Sequence, residues 1–168
     1  MSNIVAIVGR PNVGKSTLFN RLLERREAIV DSTAGVTRDR HYGKSDWNGV
    51  DFTVIDTGGY DVGSDDIFEE EIRKQVQLAV DEATSIIFMV NVEEGLQDID
   101  HEIYNLLRKA NKPLYLVVNK VDSAKEMLAA TEFYQLGVEK YYTLSSATGS
   151  GTGELLDDLV ADFPTTEY

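Results

Sequence analysis

The stretch that most constrains how this chain can fold is Gly9-Arg10-Pro11-Asn12-Val13-Gly14-Lys15-Ser16, close to the N-terminus. It follows the apolar run Ile4-Val5-Ala6-Ile7-Val8 and leads into Thr17-Leu18-Phe19-Asn20-Arg21-Leu22-Leu23, whose apolar spacing is helical. Strand, glycine-rich turn and helix, with G-x-x-x-x-G-K-[S/T] at the turn, read as a phosphate-binding loop. A polyphosphate needs backbone N–H groups at close range, so side chains must be absent where Gly9 and Gly14 stand. The positive end of the following helix dipole adds attraction for an anion. Lys15 is expected to reach the outer phosphates and the Ser16 hydroxyl to ligate Mg²⁺. Gly9, Arg10, Pro11, Asn12, Val13, Gly14, Lys15, Ser16 and Thr17 are thus the expected cradle.

Composition sets the outer bounds. The chain has 168 residues, enough for one domain with a sizeable core, and no cysteine, which excludes a disulfide framework, a thiolate metal site or a cysteine nucleophile. No apolar run approaches the ~18 residues of a membrane span and no leader pattern opens the chain, so a soluble cytoplasmic protein is expected. With 16 Lys+Arg against 29 Asp+Glu the net charge is −13, which argues against strong direct binding to nucleic acid or anionic membrane. A nucleotide site needs only local positive groups and stays compatible.

Strand and helix patterns alternate along the chain, which predicts a mostly parallel sheet with helices on both faces. Asp31–Arg40 is polar and aperiodic and reads as a loop. Tyr42–Trp47 and Val50–Ile55 flank Asn48-Gly49, a hairpin signal that adds one antiparallel pair. Asp56–Asp66 reads as a loop and a helix is expected over about Ile67–Glu82, with Ser64, Asp65 or Asp66 as N-cap and Glu69-Glu70-Glu71 as a solvated first turn. Further along, Ile86–Val90 reads as a buried strand, Ile99–Ala110 as a helix, Leu114–Val118 as a strand and Ala124–Tyr134 as a helix. A short strand at Tyr141–Leu144 and a helix over Gly153–Asp162, stopped by Pro164, complete the domain. The domain is expected to span 1–164, with 165–168 an exit linker.

Three more motifs bear on chemistry. Asp56-Thr57-Gly58-Gly59 is D-x-x-G directly after a strand; beside a phosphate loop, Asp56 is expected to hold Mg²⁺ through a water and the Gly59 N–H to touch the γ-phosphate. Asn119-Lys120-Val121-Asp122 is N-K-x-D, also directly after a strand. The Asp122 carboxylate accepts from N1–H and the 2-amino group of guanine, whereas adenine would present a lone pair, and a site built this way rejects the analogue by about 10⁴ or more. Lys120 lends its aliphatic stem to the ring and Asn119 ties the loops together. Ser146-Ala147 offers a backbone N–H to guanine O6. His41, His101 and Trp47 show no ligand spacing and read as packing or surface residues.

In this order the motifs resemble those of translation-factor-related small GTPases, and more narrowly the first G domain of the bacterial tandem GTPases called EngA or Der. The residues carrying the likeness are Gly9–Leu22, Val36-Thr37-Arg38-Asp39-Arg40, Asp56-Thr57-Gly58-Gly59 and Phe133-Tyr134-Gln135-Leu136-Gly137. The resemblance covers essentially the whole chain. It implies the fold of a P-loop NTPase G domain, with a six-stranded mostly parallel sheet, and GTP or GDP as ligand with Mg²⁺ as cofactor. It also implies a fragment of a longer protein with a second G domain and a KH-like domain that acts in assembly of the large (50S) ribosomal subunit. Thr33 and Thr37 both offer a hydroxyl for Mg²⁺, and the matched Val36-Thr37-Arg38-Asp39 selects Thr37. Lys15, Thr37 and Gly59 are the residues expected at the reacting phosphate. In related GTPases an Asn at the place of Asn12 helps bind K⁺; otherwise Asn12 is a turn residue bonding its own loop.

Tyr60 stands where many GTPases have a water-orienting Gln, so slow unaided GTP hydrolysis is expected. Arg38 and Arg40 either neutralise phosphate charge or are solvated. Two rival readings stand beside a GTPase switch domain. One is an ATP-dependent P-loop enzyme, against which N-K-x-D argues; the other is a nucleotide-occupied binding module that does not hydrolyse.

Overall fold

The central strand is β1 (Ile4–Val8), whose residues after Ile4 are all buried, because it has a parallel neighbour on each side and helices on both faces. The computed structural model describes residues 3–10, 13–24, 41–58, 68–121, 123–138, 140–145 and 148–163. After β1 come α1 (Lys15–Glu24), β2 (His41–Trp47), β3 (Val50–Asp56), α2 (Phe68–Glu82) and β4 (Ser85–Asn91). The chain continues through α3 (Asp98–Arg108), β5 (Leu114–Asn119), α4 (Ala124–Ala129), a 3₁₀ helix (Ala130–Leu136), β6 (Tyr142–Thr143) and α5 (Thr152–Ala161). The six strands lie in the order β2-β3-β1-β4-β5-β6, and only the β2–β3 pair is antiparallel. The expected P-loop-type sheet is therefore what the chain builds.

The hairpin forms where Asn48-Gly49 predicts it. Both residues take positive φ, 52° and 82°, as a type I′ turn requires, and Trp47 pairs with Val50. Alternation along the strands sends Val5, Ile7, Val54, Ile87, Met89 and Val117 to one face, under α1 and α5. Ala6, Val8, Ile55, Phe88, Val90 and Val118 go to the other, under α2, α3 and the 3₁₀ helix. Each fully buried large side chain, such as Phe88, Phe133 or Leu18, contributes about 1.5–3 kcal/mol of transfer free energy. Met89 is fully buried, as its role in core filling requires. Trp47 packs at the edge of one core and donates from Nε1 to Asp157 Oδ1 of α5 at 2.8 Å.

One element differs from expectation. Instead of a single helix over Ala124–Tyr134, α4 stops at Ala129 and a 3₁₀ helix continues to Leu136. Its buried residues, Ala130, Phe133 and Leu136, are three apart, and a coil of three residues per turn points all of them at the core. The Thr131 hydroxyl also donates to the Leu128 carbonyl at 2.8 Å, drawing on the α-helical bonding there. The other boundaries shift by one or two residues. The proposed caps Ser64, Asp65 and Asp66, the breaker Pro164 and the 165–168 linker lie outside the described residues. No helix among the described residues is long and apolar enough to cross a membrane.

Candidate nucleotide-binding site

The loops that follow β1, β3 and β5 leave the sheet at the carboxyl ends of parallel strands, where open α/β sheets hold ligands. Register brings them together, since Ile7 pairs with Asp56 across β1–β3 and Asn91 with Asn119 across β4–β5. Gly9 cannot carry a side chain, because a Cβ there would stand 2.5 Å from the Met89 carbonyl oxygen of β4. Gly14 has φ 111°, a conformation suited to glycine, and its carbonyl accepts the Leu18 N–H at 3.1 Å as α1 begins.

Lys15 opens α1 and folds back over the loop. Its ammonium donates to the carbonyls of Gly9 at 2.7 Å and Arg10 at 2.9 Å, and the residue is 6% exposed. Burial pulls its pKa down to about 8; the charges of Asp56 and Glu71 offset part of this and Arg10 adds to it. Ser16 and Thr17 sit exposed on the first turn of α1, where the dipole is positive.

The Arg10 side chain turns to the α3 side of the loop. Its Nε donates to Asp100 Oδ1 at 2.9 Å, its Nη2 to Asp100 Oδ2 at 3.3 Å and its Nη1 to Glu94 Oε1 at 2.6 Å. Asp100 is fully buried and also accepts the Gln97 N–H in a capping box at the start of α3. Burial opposes the guanidinium charge, but the hydrogen bonds and charges of Asp100 and Glu94 outweigh it, so the pKa lies above its ordinary value.

Asp56 ends β3, is 3% exposed, and its Oδ1 accepts the Gly58 N–H at 3.1 Å. Gly58 lies against Lys15, since a Cβ on it would meet the Lys15 Cε at 2.4 Å. The donors Ser16 hydroxyl and Asp56 carboxylate are hard oxygens suited to Mg²⁺. Among the described residues no group of three or more His, Cys, Asp or Glu is placed so that it could hold a metal ion.

Asn119 is 1% exposed and its Nδ2 donates to the Val13 carbonyl at 2.8 Å, joining the N-K-x-D segment to the phosphate loop. Lys120 adopts φ 69°, rare for a non-glycine residue and characteristic of functional loops, and its ammonium lies 3.7 Å from Glu93. The Val121 N–H donates to the Leu144 carbonyl at 3.2 Å, and the Gly149 N–H to Ser145 at 2.7 Å, so the segments flanking Ser146-Ala147 stand beside N-K-x-D. Pro11, Asn12, Thr33, Thr37, Arg38, Arg40, Gly59, Tyr60, Asp122, Ser146 and Ala147 lie outside the described residues.

Sequence reading missed Gln75, Glu94 and Asp100. Gln75 had a visible signal, for it occupies the apolar stripe Ile72, Val76, Ala79 of α2, and an amide on such a stripe must find a buried partner.

The family described as "50S ribosome-binding GTPase" matches residues 4–120. Over 97% of its length the chain is 67% identical to GTPase Der of Flavobacterium johnsoniae, covering 37% of that protein. Over 99% it is 65% identical to GTPase Der of Christiangramia forsetii, covering 38%. The chain thus spans little more than a third of the length of the curated relatives it matches. Among solved structures it is similar to Aquifex aeolicus Era bound to GDP·AlF₄⁻, with a TM-score of 0.74, 32% identity, and coverage of 99% of this chain and 58% of that one. With that family model over most of its length and relatives at 65–67% identity, the chain belongs to this GTPase family.

Proposed function

We propose that this chain is the first G domain of a tandem GTPase of the Der type, a switch that binds GTP and GDP with Mg²⁺ and hydrolyses GTP slowly. The observation that carries the reading is the Asn119–Val13 bond, which couples a guanine-reading motif to a phosphate loop, in a chain whose family is a GTPase family. Lys15 and the N–H groups of the loop hold the phosphates and stabilise the charge that develops as water attacks the γ-phosphate in line. Ser16 and Asp56, joined by Thr37, would hold Mg²⁺, which supplies positive charge at the β- and γ-phosphates when bound. The Gly59 N–H contacts the γ-phosphate, Asp122 reads guanine, and Ser146-Ala147 meets O6. Asn12 is proposed as a ligand of K⁺ beside the phosphates.

The partners proposed for the longer protein are its second G domain, its KH-like domain and the 50S ribosomal subunit, in the cytoplasm. The net charge of −13 supports assigning ribosome contact to those other parts. Phosphate release in a single turnover tests hydrolysis. Release that depends on Mg²⁺ and is lost in Lys15→Ala is expected, whereas retained GTP with no phosphate released would make the domain a binding module. Turnover in KCl above that in NaCl is expected if K⁺ binds, and equal rates would remove the K⁺ assignment.

A further inference from the structure

Gln75 of α2 is 2% exposed, and nothing in the motifs accounts for it. Its Oε1 accepts the Gly9 N–H at 3.2 Å, so α2 is bonded to the first residue of the phosphate loop. The Thr57 hydroxyl lies 3.1 Å from the same Oε1 and donates to the Ile7 carbonyl at 2.8 Å. The Nε2 end faces Gly58, 3.1 Å from where a Cβ would stand there, beside the Lys15 side chain. One buried carboxamide therefore touches the start of the phosphate loop and two residues of Asp56-Thr57-Gly58-Gly59.

We propose that Gln75 is a positioning residue for the γ-phosphate, fixing the separation of the Asp56–Gly59 segment from the phosphate loop. The inference rests on the GTPase reading above. The α- and β-phosphates are held by the loop and the start of α1, which Gln75 does not support beyond Gly9. In that reading the γ-phosphate contact comes through Gly59, and the Asp56–Gly58 residues leading to it are held by β3, by the Thr57 N–H and hydroxyl bonds to the Ile7 carbonyl and by this carboxamide. A buried amide is suited to the task because leaving the Gly9 N–H without its acceptor is unfavourable, so the spacing is stiff.

The test is Gln75→Met, similar in length but without the acceptor, alongside Thr57→Val, which keeps its shape and loses the hydroxyl. In the 168-residue chain, each variant is expected to bind GDP within threefold of wild type. Each should lose at least tenfold in kcat and at least fivefold in preference for a non-hydrolysable GTP analogue over GDP. Unchanged kcat and preference would overturn the proposal, as would loss of GDP affinity and kcat by the same factor, which would mark a residue that merely supports the loop. Exchange of the Gly9 amide proton in the wild-type chain adds a readout that needs no variant. Protection is expected with GDP and with the GTP analogue, and rapid exchange in either form contradicts the proposal. A wild-type chain that releases no phosphate would refute the GTPase reading instead, and so the two failures are distinguishable.

Discussion

Asn119 Nδ2 donates to the Val13 carbonyl oxygen across 106 positions of sequence, at 2.8 Å and out of contact with solvent. This bond ties the N-K-x-D segment directly to the G-x-x-x-x-G-K-[S/T] loop. Asn119→Ala leaves a buried carbonyl without that donor, and a cost of about 1–3 kcal/mol in unfolding free energy is expected. GDP affinity should fall more than tenfold, because base and phosphate sites are then no longer fixed to each other. Urea unfolding and a fluorescent-GDP titration measure the two effects.

The Arg10–Asp100 pair ties the same loop to α3. Both side chains are largely out of water, at 11% and 1% exposure, and removing Asp100 leaves the Arg10 guanidinium with Glu94 alone. Asp100→Ala is expected to destabilise the domain by about 3–5 kcal/mol, since it also removes the capping box of α3. Chemical denaturation reads this directly, and a change under ~1 kcal/mol would show that Glu94 and water satisfy Arg10 without Asp100.

At Gly9 the constraint is steric. A methyl group would stand 2.5 Å from the Met89 carbonyl and 3.1 Å from Val13 Cγ2, and the carbonyl belongs to a central strand that cannot give way. Gly9→Ala should cost about 1–3 kcal/mol in stability by thermal or chemical unfolding and displace the loop enough to weaken GDP binding.

Burial sets the pH behaviour of Lys15. With its pKa at about 8 in the free domain, the side chain is charged at pH 7 and largely neutral at pH 9. Phosphate beside it favours the charged form, so nucleotide binding above pH 8 must take up a proton. GDP affinity is expected to fall as pH rises from 7 to 9, and calorimetric titrations in buffers of different ionisation enthalpy should show proton uptake at pH 8.5. Uptake absent at that pH would place the Lys15 pKa near its ordinary value.

Much of this was legible in the sequence because it is local. Apolar runs mark β1, β4 and β5, Asn48-Gly49 marks the hairpin, and the loop motifs sit at strand ends where the chemistry needs them. What stayed illegible depends on distant partners. Arg10 meets Asp100 90 positions away and Gly9 meets Gln75 66 positions away, so the motif shows a phosphate loop but not what braces it. The 3₁₀ helix was missed because the i, i+3 spacing of Ala130, Phe133 and Leu136 is one that an α-helix also tolerates over fewer than two turns, and only packing against the core selects the tighter coil.

Competition against a bound fluorescent GDP asks whether the chain is a guanine-nucleotide switch domain. GTP should displace the probe at concentrations at least about 10⁴-fold below those needed for ATP. Asp122→Asn should shift the preference from guanosine to xanthosine nucleotides. Displacement by ATP and GTP at similar concentrations, or an Asp122→Asn chain with unchanged base preference, would contradict the account.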